Sequence, residues 1–300
     1  MAFIHKYSTI SNGDTFNFGI LNNLDGNNIT HPDYKNAILG VNLRRMSDIV
    51  KMGLANSIKC LNGSQVDGVV VATGLGSMLN TELFISSFID NNQSILSPTP
   101  FINSVHNTIS GEIALHTKNH GYNTTYSQGG VSFEGALLDA ILLTNEGKTV
   151  IVGGVDESIP VLNEILSKLK SKRLFSSGSS FFNLSPNKKN SIAEVVNCII
   201  TKREKLNSLL ETYNYNPKKD FTLSGNSSCK YVNNLEGVNY SNYCGTYMTN
   251  SSYGLQMGVE LLNTSNISEL NGFNIPKKLN RIFIINHSSN QDIGIIIIKK

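Results

Sequence analysis

The 300-residue chain is 40% hydrophobic and 16% charged, with a formal net charge of +3. This mixture is too apolar for a disordered chain and too polar for a membrane bundle, so it indicates a globular protein with a sizeable core. The longest apolar run, at residues 293–298, has the length of a strand and is shorter than the ~20 residues that span a bilayer. Residues 1–10 lack the apolar core of a signal peptide, and we therefore expect a cytoplasmic protein without a membrane span.

Charge is distributed unevenly along the chain. Residues 1–160 hold 8 Lys and Arg against 13 Asp and Glu, whereas residues 161–300 hold 17 against 9. An acidic partner would therefore favour the second half. The four cysteines have neither the spacing of a metal site nor the density of a disulfide framework. We expect no metal, no cofactor and no nucleic-acid partner.

In the first half, the hydrophobic pattern predicts alternating strands and helices around a parallel sheet. The predicted strands span residues 66–73, 122–127 and 149–155, and the predicted helices span residues 43–61, 107–120 and 129–145. The last of these helices is small and apolar on nearly all faces, so we expect it to be buried.

The second half shows a similar alternation. Strands are predicted at residues 179–184, 221–224, 281–285 and 293–298, and helices at residues 191–213 and 253–262. Because both halves run strand, helix, strand, we predict an internal duplication of architecture, with one half at residues 1–160 and a shortened one at residues 161–300.

For two short motifs we favour an ordinary structural role over ligand binding. Gly74 and Gly76 follow a predicted strand, but Leu79 stands where a dinucleotide fingerprint has its third glycine, so a tight turn is predicted. His116 and His120 lie four residues apart on a predicted helix without the Glu of an HExxH metal site. We interpret them as a surface pair.

The predicted strand at residues 122–127 stops at Gln128-Gly129-Gly130, where the buried helix begins. A residue at such an elbow lies over the helix N-terminus, where free N–H groups stabilise negative charge, and this suits a nucleophile. Gln128 cannot be a nucleophile. Taken alone, the elbow therefore indicates a structural turn.

Taken together, these segments resemble the β-ketoacyl synthases of the thiolase-like superfamily over nearly the whole chain. The resemblance implies an α/β, thiolase-like five-layer αβαβα fold built from two similar halves. Family members join an acyl chain to a malonyl unit on acyl carrier protein, using an elbow cysteine, two histidines and backbone N–H donors. The matching segments follow the family's order and comprise residues 44–47 (RRMS), 69–76, 98–114 (beginning PTPF), the elbow with its helix, 152–157 (VGGVDE), 248–260 and the last strands from residue 286.

The chain departs from this resemblance at each catalytic position. Gln128 replaces the elbow cysteine, and Ser251 takes the position of one histidine. Residues 223–227 lack the other histidine, Thr246 replaces a lysine, and residues 286–291 lack the family's glycines. The chemistry is therefore lost.

This pattern of losses resembles the chain length factors, inactive partners that dimerise with an active ketosynthase and often carry glutamine at the elbow. The short length and the RRMS and PTPF segments resemble the aryl-polyene and flexirubin type. The resemblance implies a subunit that is inactive alone, whose partners are an active β-ketoacyl synthase and acyl carrier protein.

The resemblance implies a role for two groups of residues, one at the subunit interface and one along the acyl tunnel. The strand before the elbow pairs with its counterpart in the partner subunit, and an adjacent segment lines the acyl tunnel, where residues could limit chain length. Ordinary core is the competing interpretation for the tunnel segment. The interface candidates are Asn123, Thr124, Thr125, Tyr126 and Ser127, and the tunnel candidates are Phe101, Ile102, Val105 and His106.

Two alternatives remain open. A glutamine elbow also marks ketosynthase domains that decarboxylate malonyl units, and these need no nucleophile but do need donors for the enolate oxygen. A ketosynthase with a displaced nucleophile would have to use Cys229 or Cys244, although a buried, unreactive thiol is the competing interpretation of both.

Overall fold

A computed structural model of the chain describes residues 1–12, 15–16, 29–90, 97–169, 175–225, 237–264, 275–276, 279–288 and 291–300. The helices are α1 (Tyr34–Ala37), α2 (Asp48–Leu61), α3 (Met78–Asp90), α4 (Pro98–Ser104), α5 (Thr108–Thr117), α6 (Ser132–Asn145), α7 (Pro160–Lys168), α8 (Leu206–Thr212), α9 (Ser241–Cys244) and α10 (Ser251–Asn263). The strands are β1 (Ala2–Ile10), β2 (Gly68–Ala72), β3 (Tyr122–Tyr126), β4 (Val150–Asp156), β5 (Gly178–Ser185), β6 (Ala193–Lys202), β7 (Asp220–Gly225), β8 (Gly237–Asn239), β9 (Arg281–His287) and β10 (Asp292–Lys299). A mixed α/β fold is therefore confirmed.

The strands of the described residues form one sheet in the order β3-β2-β4-β5-β1-β6-β10-β9-β7-β8. From β1 outward, the pairings run antiparallel, antiparallel, parallel, parallel. From β6 outward, the same four directions recur in the same order. The two five-stranded groups meet where Ala2, Phe3 and Ile4 of β1 pair with residues 193–195 of β6.

Three groups of buried apolar side chains cover the faces of this sheet. Helices α2 and α5 pack on the first strand group, and Ile49 of α2, Ile109 of α5 and Val71 of β2 belong to one buried cluster. Helix α8 packs on the second strand group through Leu206 and Leu210. Helices α6 and α10 share the remaining core with side chains from both strand groups. The helix α6 is mostly buried, as its apolar pattern predicts.

The predicted helix at residues 191–213 is wrong over its first half. Residues 193–202 form β6, which pairs antiparallel with β10, and only residues 206–212 form an α-helix. The segment is rich in β-branched residues and lies beside an isoleucine-rich strand, so cross-strand packing outweighs the helical pattern. Strand β1 and helix α3 have no counterpart in the predicted elements.

The structure also tests the predicted turn at Gly74 and Gly76 and the predicted pairing of His116 with His120. Gly76 has a φ of 69°, and the imidazole of His106 lies where a side chain would project, with Nδ1 2.7 Å from an ideal Cβ. The tight turn is thereby confirmed. Helix α5 ends at Thr117, so His116 and His120 do not share a helix face, contrary to the prediction.

Candidate functional site

The turn between β3 and α6 has the predicted elbow shape. Gly129, with a φ of 61°, opens a short 3-10 turn that leads into α6. Gln128 is exposed, and its Oε1 lies 2.6 Å from the position of a Cβ on Gly135. The Gln128 backbone N–H donates to Ser132 Oγ (2.7 Å), and the Ser132 hydroxyl donates to the carbonyl of Gly129 (2.7 Å). The elbow N–H is therefore satisfied from within the chain.

Behind the elbow lie three fully buried polar residues, Glu134 on α6, Ser251 at the start of α10 and Asn286 on β9, which we call the Glu134 cluster. The Asn286 amide donates to the carbonyl of Gly130 (2.6 Å) and to Glu134 Oε1 (3.0 Å). Ser251 faces the same carboxyl. The elbow and two of the predicted departures from the family are thus brought together.

Burial dominates the electrostatics of this cluster. It raises the pKa of Glu134 to about 7, against the opposing effects of Ser251 and Asn286. The carboxyl packs on β10 so closely that a Cβ on Gly294 would clash with it. Among the described residues, neither Glu134 Oε2 nor Ser251 Oγ finds a hydrogen-bond partner in normal geometry. Burial of Glu134 therefore favours the neutral acid over the carboxylate.

The segment at the predicted glycine-loop position rests on the elbow. Ser288 Oγ lies 2.9 Å from the position of a Cβ on Gly130, and the Ser288 N–H donates to the carbonyl of Asp292 (2.9 Å). His287 is buried, and burial together with Arg203 lowers its pKa to about 4. Residues 289–290 of this predicted loop lie outside the described residues.

Two further predicted departures from the family, residues 223–227 and Thr246, are not members of the three-residue Glu134 cluster. Residues 223–225 end β7, whereas residues 226–227 lie outside the described part of the chain. The carbonyl of Thr246 accepts a hydrogen bond from the Ser176 N–H (2.8 Å). Neither position contributes a described side chain to the Glu134 cluster.

The structure bears on one of the two candidate displaced nucleophiles. Cys244 is fully buried, its Sγ donates to the carbonyl of Tyr240 (3.5 Å), and burial raises the pKa of its thiol. A protonated, inaccessible thiol is a poor nucleophile. Cys229 lies outside the described residues. Within the described ranges, no group of His, Cys, Asp and Glu is arranged to hold a metal ion, and no helix has the length and apolar character to cross a bilayer.

Strand β3, which carries the interface candidates, is an edge of the sheet, and β2 is its one neighbour within the described part of the chain. The Tyr122 N–H donates to Asp67, and the Tyr126 carbonyl accepts from Thr73. Because the backbone direction alternates along a strand, residues 123 and 125 present their N–H and carbonyl groups to the open edge.

The interface candidates point their side chains back into the subunit. Asn123 donates to the carbonyl of Ser110 (2.8 Å), and the Thr125 hydroxyl donates to Ser110 Oγ (2.8 Å). Thr124 and Tyr126 are half-buried, and the exposed Ser127 donates to the carbonyl of Gly74 (3.4 Å). At the open edge, β3 therefore offers backbone N–H and carbonyl groups to a pairing strand.

The tunnel candidates lie on the surface of the chain. Phe101, Ile102 and Val105 are 55%, 60% and 46% exposed, and His106 is exposed as well. The competing interpretation of ordinary core is therefore wrong for the isolated chain. These residues continue an apolar surface from α3, with the rings of Phe101 and Phe84 5.2 Å apart. We call this surface the α3–α4 face; its exposed members are Leu83, Ile85, Phe88, Ile89, Phe101, Ile102 and Val105.

Two buried acids near the site escaped the sequence prediction. Glu134 stands in an otherwise small and apolar helix, and Asp156 ends a buried apolar strand. Asp156 accepts from the Thr73 hydroxyl (3.1 Å) and Gly74 N–H (2.7 Å), and from the N–H and hydroxyl of Thr249 (both 2.8 Å). A lone acid within an apolar run is the signal that could have identified both.

We compared the chain with known protein families and with curated proteins. Residues 27–171 match the family described as beta-ketoacyl synthase, N-terminal domain. No curated protein matches the chain.

Solved structures extend the likeness to the whole chain. A type II polyketide ketosynthase in complex with its acyl carrier protein shares 12% identity with a TM-score of 0.78, covering 99% of both chains. The ishigamide ketosynthase/chain length factor shares 13% with a TM-score of 0.76 and the same coverage. A ketosynthase with its chain length factor from Xenorhabdus doucetiae shares 18% with a TM-score of 0.53, over 67% of this chain and 83% of that chain. At these identities the matches show a ketosynthase-like fold.

Proposed function

We propose that this chain, with its ketosynthase-like fold and an N-terminal region that matches the β-ketoacyl synthases, is a non-catalytic chain length factor that pairs with an active ketosynthase. The observation that carries the proposal is the elbow. Gln128 offers no nucleophile, and its N–H donates to Ser132 instead of remaining open to an oxyanion. Residues 223–227 and Ser251, at the positions of the family's two histidines, hold no histidine, and the buried His287 stands instead at the position of the glycine loop.

The proposal includes a thiolase-like arrangement of two similar halves, at residues 1–160 and 161–300. The repeated order and direction of the strands support two similar halves, because the five strands of each group follow one plan. Strand β5 (Gly178–Ser185) belongs to the first group, so the two strand groups divide between residues 185 and 193 and not at residue 160. The position of α6 and α10 in a core shared by both strand groups supports a five-layer arrangement.

A partner subunit is supported by two features of the surface. The backbone of β3 is an open sheet edge, which natural proteins usually cover or pair. The α3–α4 face exposes six large apolar side chains on the two helices and a seventh, Val105, directly after α4, and an isolated chain rarely leaves so many in water. We assign both to contact with the active ketosynthase.

The carrier protein and the pathway are also proposals. A cleft of ≈ 640 Å³ is lined by Lys202, Arg203, Glu204 and Gln291, and Arg203 donates to the carbonyl of Ser288 (3.4 Å) beside the elbow. Lys202, which forms an ion pair with Asp292 (2.6 Å), and Arg203 stand beside the acid Glu204, and the two cations are our candidate contacts for an acidic acyl carrier protein. The RRMS segment and the PTPF segment, which begins α4, support an aryl-polyene type of elongation in the cytoplasm.

Incubation of the purified chain with acyl carrier protein thioesters should leave every cysteine free, because no thiol stands at the elbow. Intact-protein mass spectrometry checks this, and malonyl carrier protein in a parallel sample tests for decarboxylation. Gln128→Cys places a thiol at the elbow and should gain acylation that is slow at most. An acyl adduct on this variant would show that the assay detects a thiol at this position. A stoichiometric acyl adduct on wild-type Cys229 would contradict the proposal, and rapid release of carbon dioxide would favour the decarboxylase.

Shortening the tunnel candidates should lengthen the product of the assembled pair. Phe101→Ala and Val105→Ala remove exposed side chains, so we expect changes of at most about 1 kcal/mol in the stability of the isolated subunit. In the complex, the same changes would enlarge the end of the tunnel and admit at least one more two-carbon unit. Mass spectrometry of the products measures this. Ile165→Ala, on the exposed side of α7, is the matched control. An unchanged length distribution in both variants would refute the tunnel assignment.

A further inference from the structure

The Glu134 cluster ties the elbow to the second strand group. The Asn286 amide on β9 bridges the Gly130 carbonyl of the elbow and the Glu134 carboxyl on α6. A second tie comes from β6, where Cys198 Sγ donates to the backbone carbonyl of Glu134 (3.6 Å). The position of the elbow therefore depends on how Glu134 and Asn286 meet.

The atoms left over in this cluster favour a protonated carboxyl. Glu134 Oε2, Asn286 Oδ1 and Ser251 Oγ are buried, and among the described residues no hydrogen bond of normal geometry reaches them, although the Ser251 hydroxyl faces the Glu134 carboxyl. A carboxylic acid carries a hydrogen on one oxygen, which can be donated to the serine or amide oxygen after a small rotation. A carboxylate would instead place a fully buried negative charge beside neutral donors alone, the Ser251 hydroxyl, the Asn286 amide and the Glu134 N–H, which is costly without a cation.

The surroundings offer no compensating charge among the described residues. The titratable groups that interact with Glu134 are Cys198 on β6 and Tyr240, which follows β8, and burial raises the pKa of both, so both are neutral. Helix α10 contributes Ser251 and β10 contributes Gly294. Strands β2, β4 and β5 present apolar side chains to α6.

We propose that Glu134 is a positioning residue which, as a neutral acid, locks the elbow onto β9, and that loss of its proton loosens the elbow. The lock is a property of the single chain and requires neither the partner subunit nor an acyl group. It therefore stands or falls separately from the proposed function.

The direction of the pH effect follows from the two states of the carboxyl. When locked, Glu134 has a pKa of about 7, and when exposed by opening it returns towards its ordinary value of 4.5. Opening therefore releases a proton and becomes easier by up to about tenfold per pH unit between pH 5 and 7, with no further gain well above pH 7. His287 gives the opposite trend below pH 6.5, since its pKa is lowered when buried.

Hydrogen exchange of the purified full chain tests the lock. Protection of peptides covering residues 128–136, corrected for intrinsic exchange rates, should fall about tenfold or more between pH 5.5 and 7.5 in the wild type. Glu134→Gln keeps the shape and an amide donor but cannot ionise, so its protection should not fall over this range. Glu157→Gln is the matched control, because burial also raises the pKa of Glu157 to about 7 but its carboxyl accepts from Leu79. That variant should retain the wild-type trend at the elbow.

A wild-type elbow without a pH trend, or the same trend in Glu134→Gln, would overturn the proposal. If Glu134→Gln does not fold, infrared spectroscopy of the wild type replaces it. A protonated-carboxyl band should persist at pH 6 and titrate away with a midpoint near 7, and part of that band should remain in Glu157→Gln. A Glu157→Gln protein without any such band at pH 6 would show that Glu134 is ionised and would refute the lock.

Discussion

Thr125→Pro is expected to abolish co-purification with the active ketosynthase, whereas Thr125→Val is expected to preserve it. The Thr125 N–H points to the open edge of β3, so proline would remove a donor needed for pairing with the partner strand while leaving the ladder to β2 intact. Valine keeps that N–H. Co-expression with a tagged partner, followed by affinity and size-exclusion chromatography, measures the result.

The valine variant controls for the side chain. Both substitutions remove the hydroxyl that donates to Ser110, so they share any loss caused within the subunit. Thermal unfolding of each isolated subunit then shows whether proline has damaged the fold. A folded Thr125→Pro protein that still binds the partner at wild-type yield would place the interface elsewhere.

Asp156→Ala should lower the free energy of unfolding by at least about 3 kcal/mol. The carboxylate accepts four hydrogen bonds from three residues, and alanine would leave these buried donors without an acceptor. The affected donors are Thr73 and Gly74 after β2, and Thr249 just before α10. Urea denaturation measures the change.

Two comparisons make the Asp156 experiment specific. Asp156→Asn retains one acceptor oxygen and should lose less stability than Asp156→Ala. Asp139→Ala removes a surface acid that accepts hydrogen bonds from the hydroxyls of Tyr122 and Tyr126, and should cost at most about 1 kcal/mol. Equal stability of Asp156→Ala and wild type would show that solvent satisfies these donors.

Local pattern predicted much of the fold, but it failed where distant strands decide the conformation. The buried strands β2 and β4 and the helix α6 follow from apolar runs and turn residues. Strand β6 does not, because its neighbour β10 lies about a hundred residues away in the sequence. Cross-strand packing of that kind leaves little trace in a local window.

The candidate site was predictable in part for a similar reason. Gln128 and Ser251 are visible as departures from a resemblance, so their chemistry could be judged from the sequence. The hydrogen bond between Ser132 and the Gln128 N–H depends on the exact course of the elbow. The meeting of Glu134 with Asn286 depends on the packing of α6 against β9. Only three-dimensional contacts disclose these two features.

The position of β1 has a consequence for biosynthesis. It pairs with β5 and, through residues 2–4, with β6, which lie far along the chain at residues 178–185 and 193–202. Strand β1 therefore leaves the ribosome well before both of its neighbours, and the centre of the sheet closes only after residues 178–195 have been made. Such distant pairing slows folding, and during translation β1 is an apolar segment without its native partners. Slow translation before residue 178 should therefore increase the demand for chaperones.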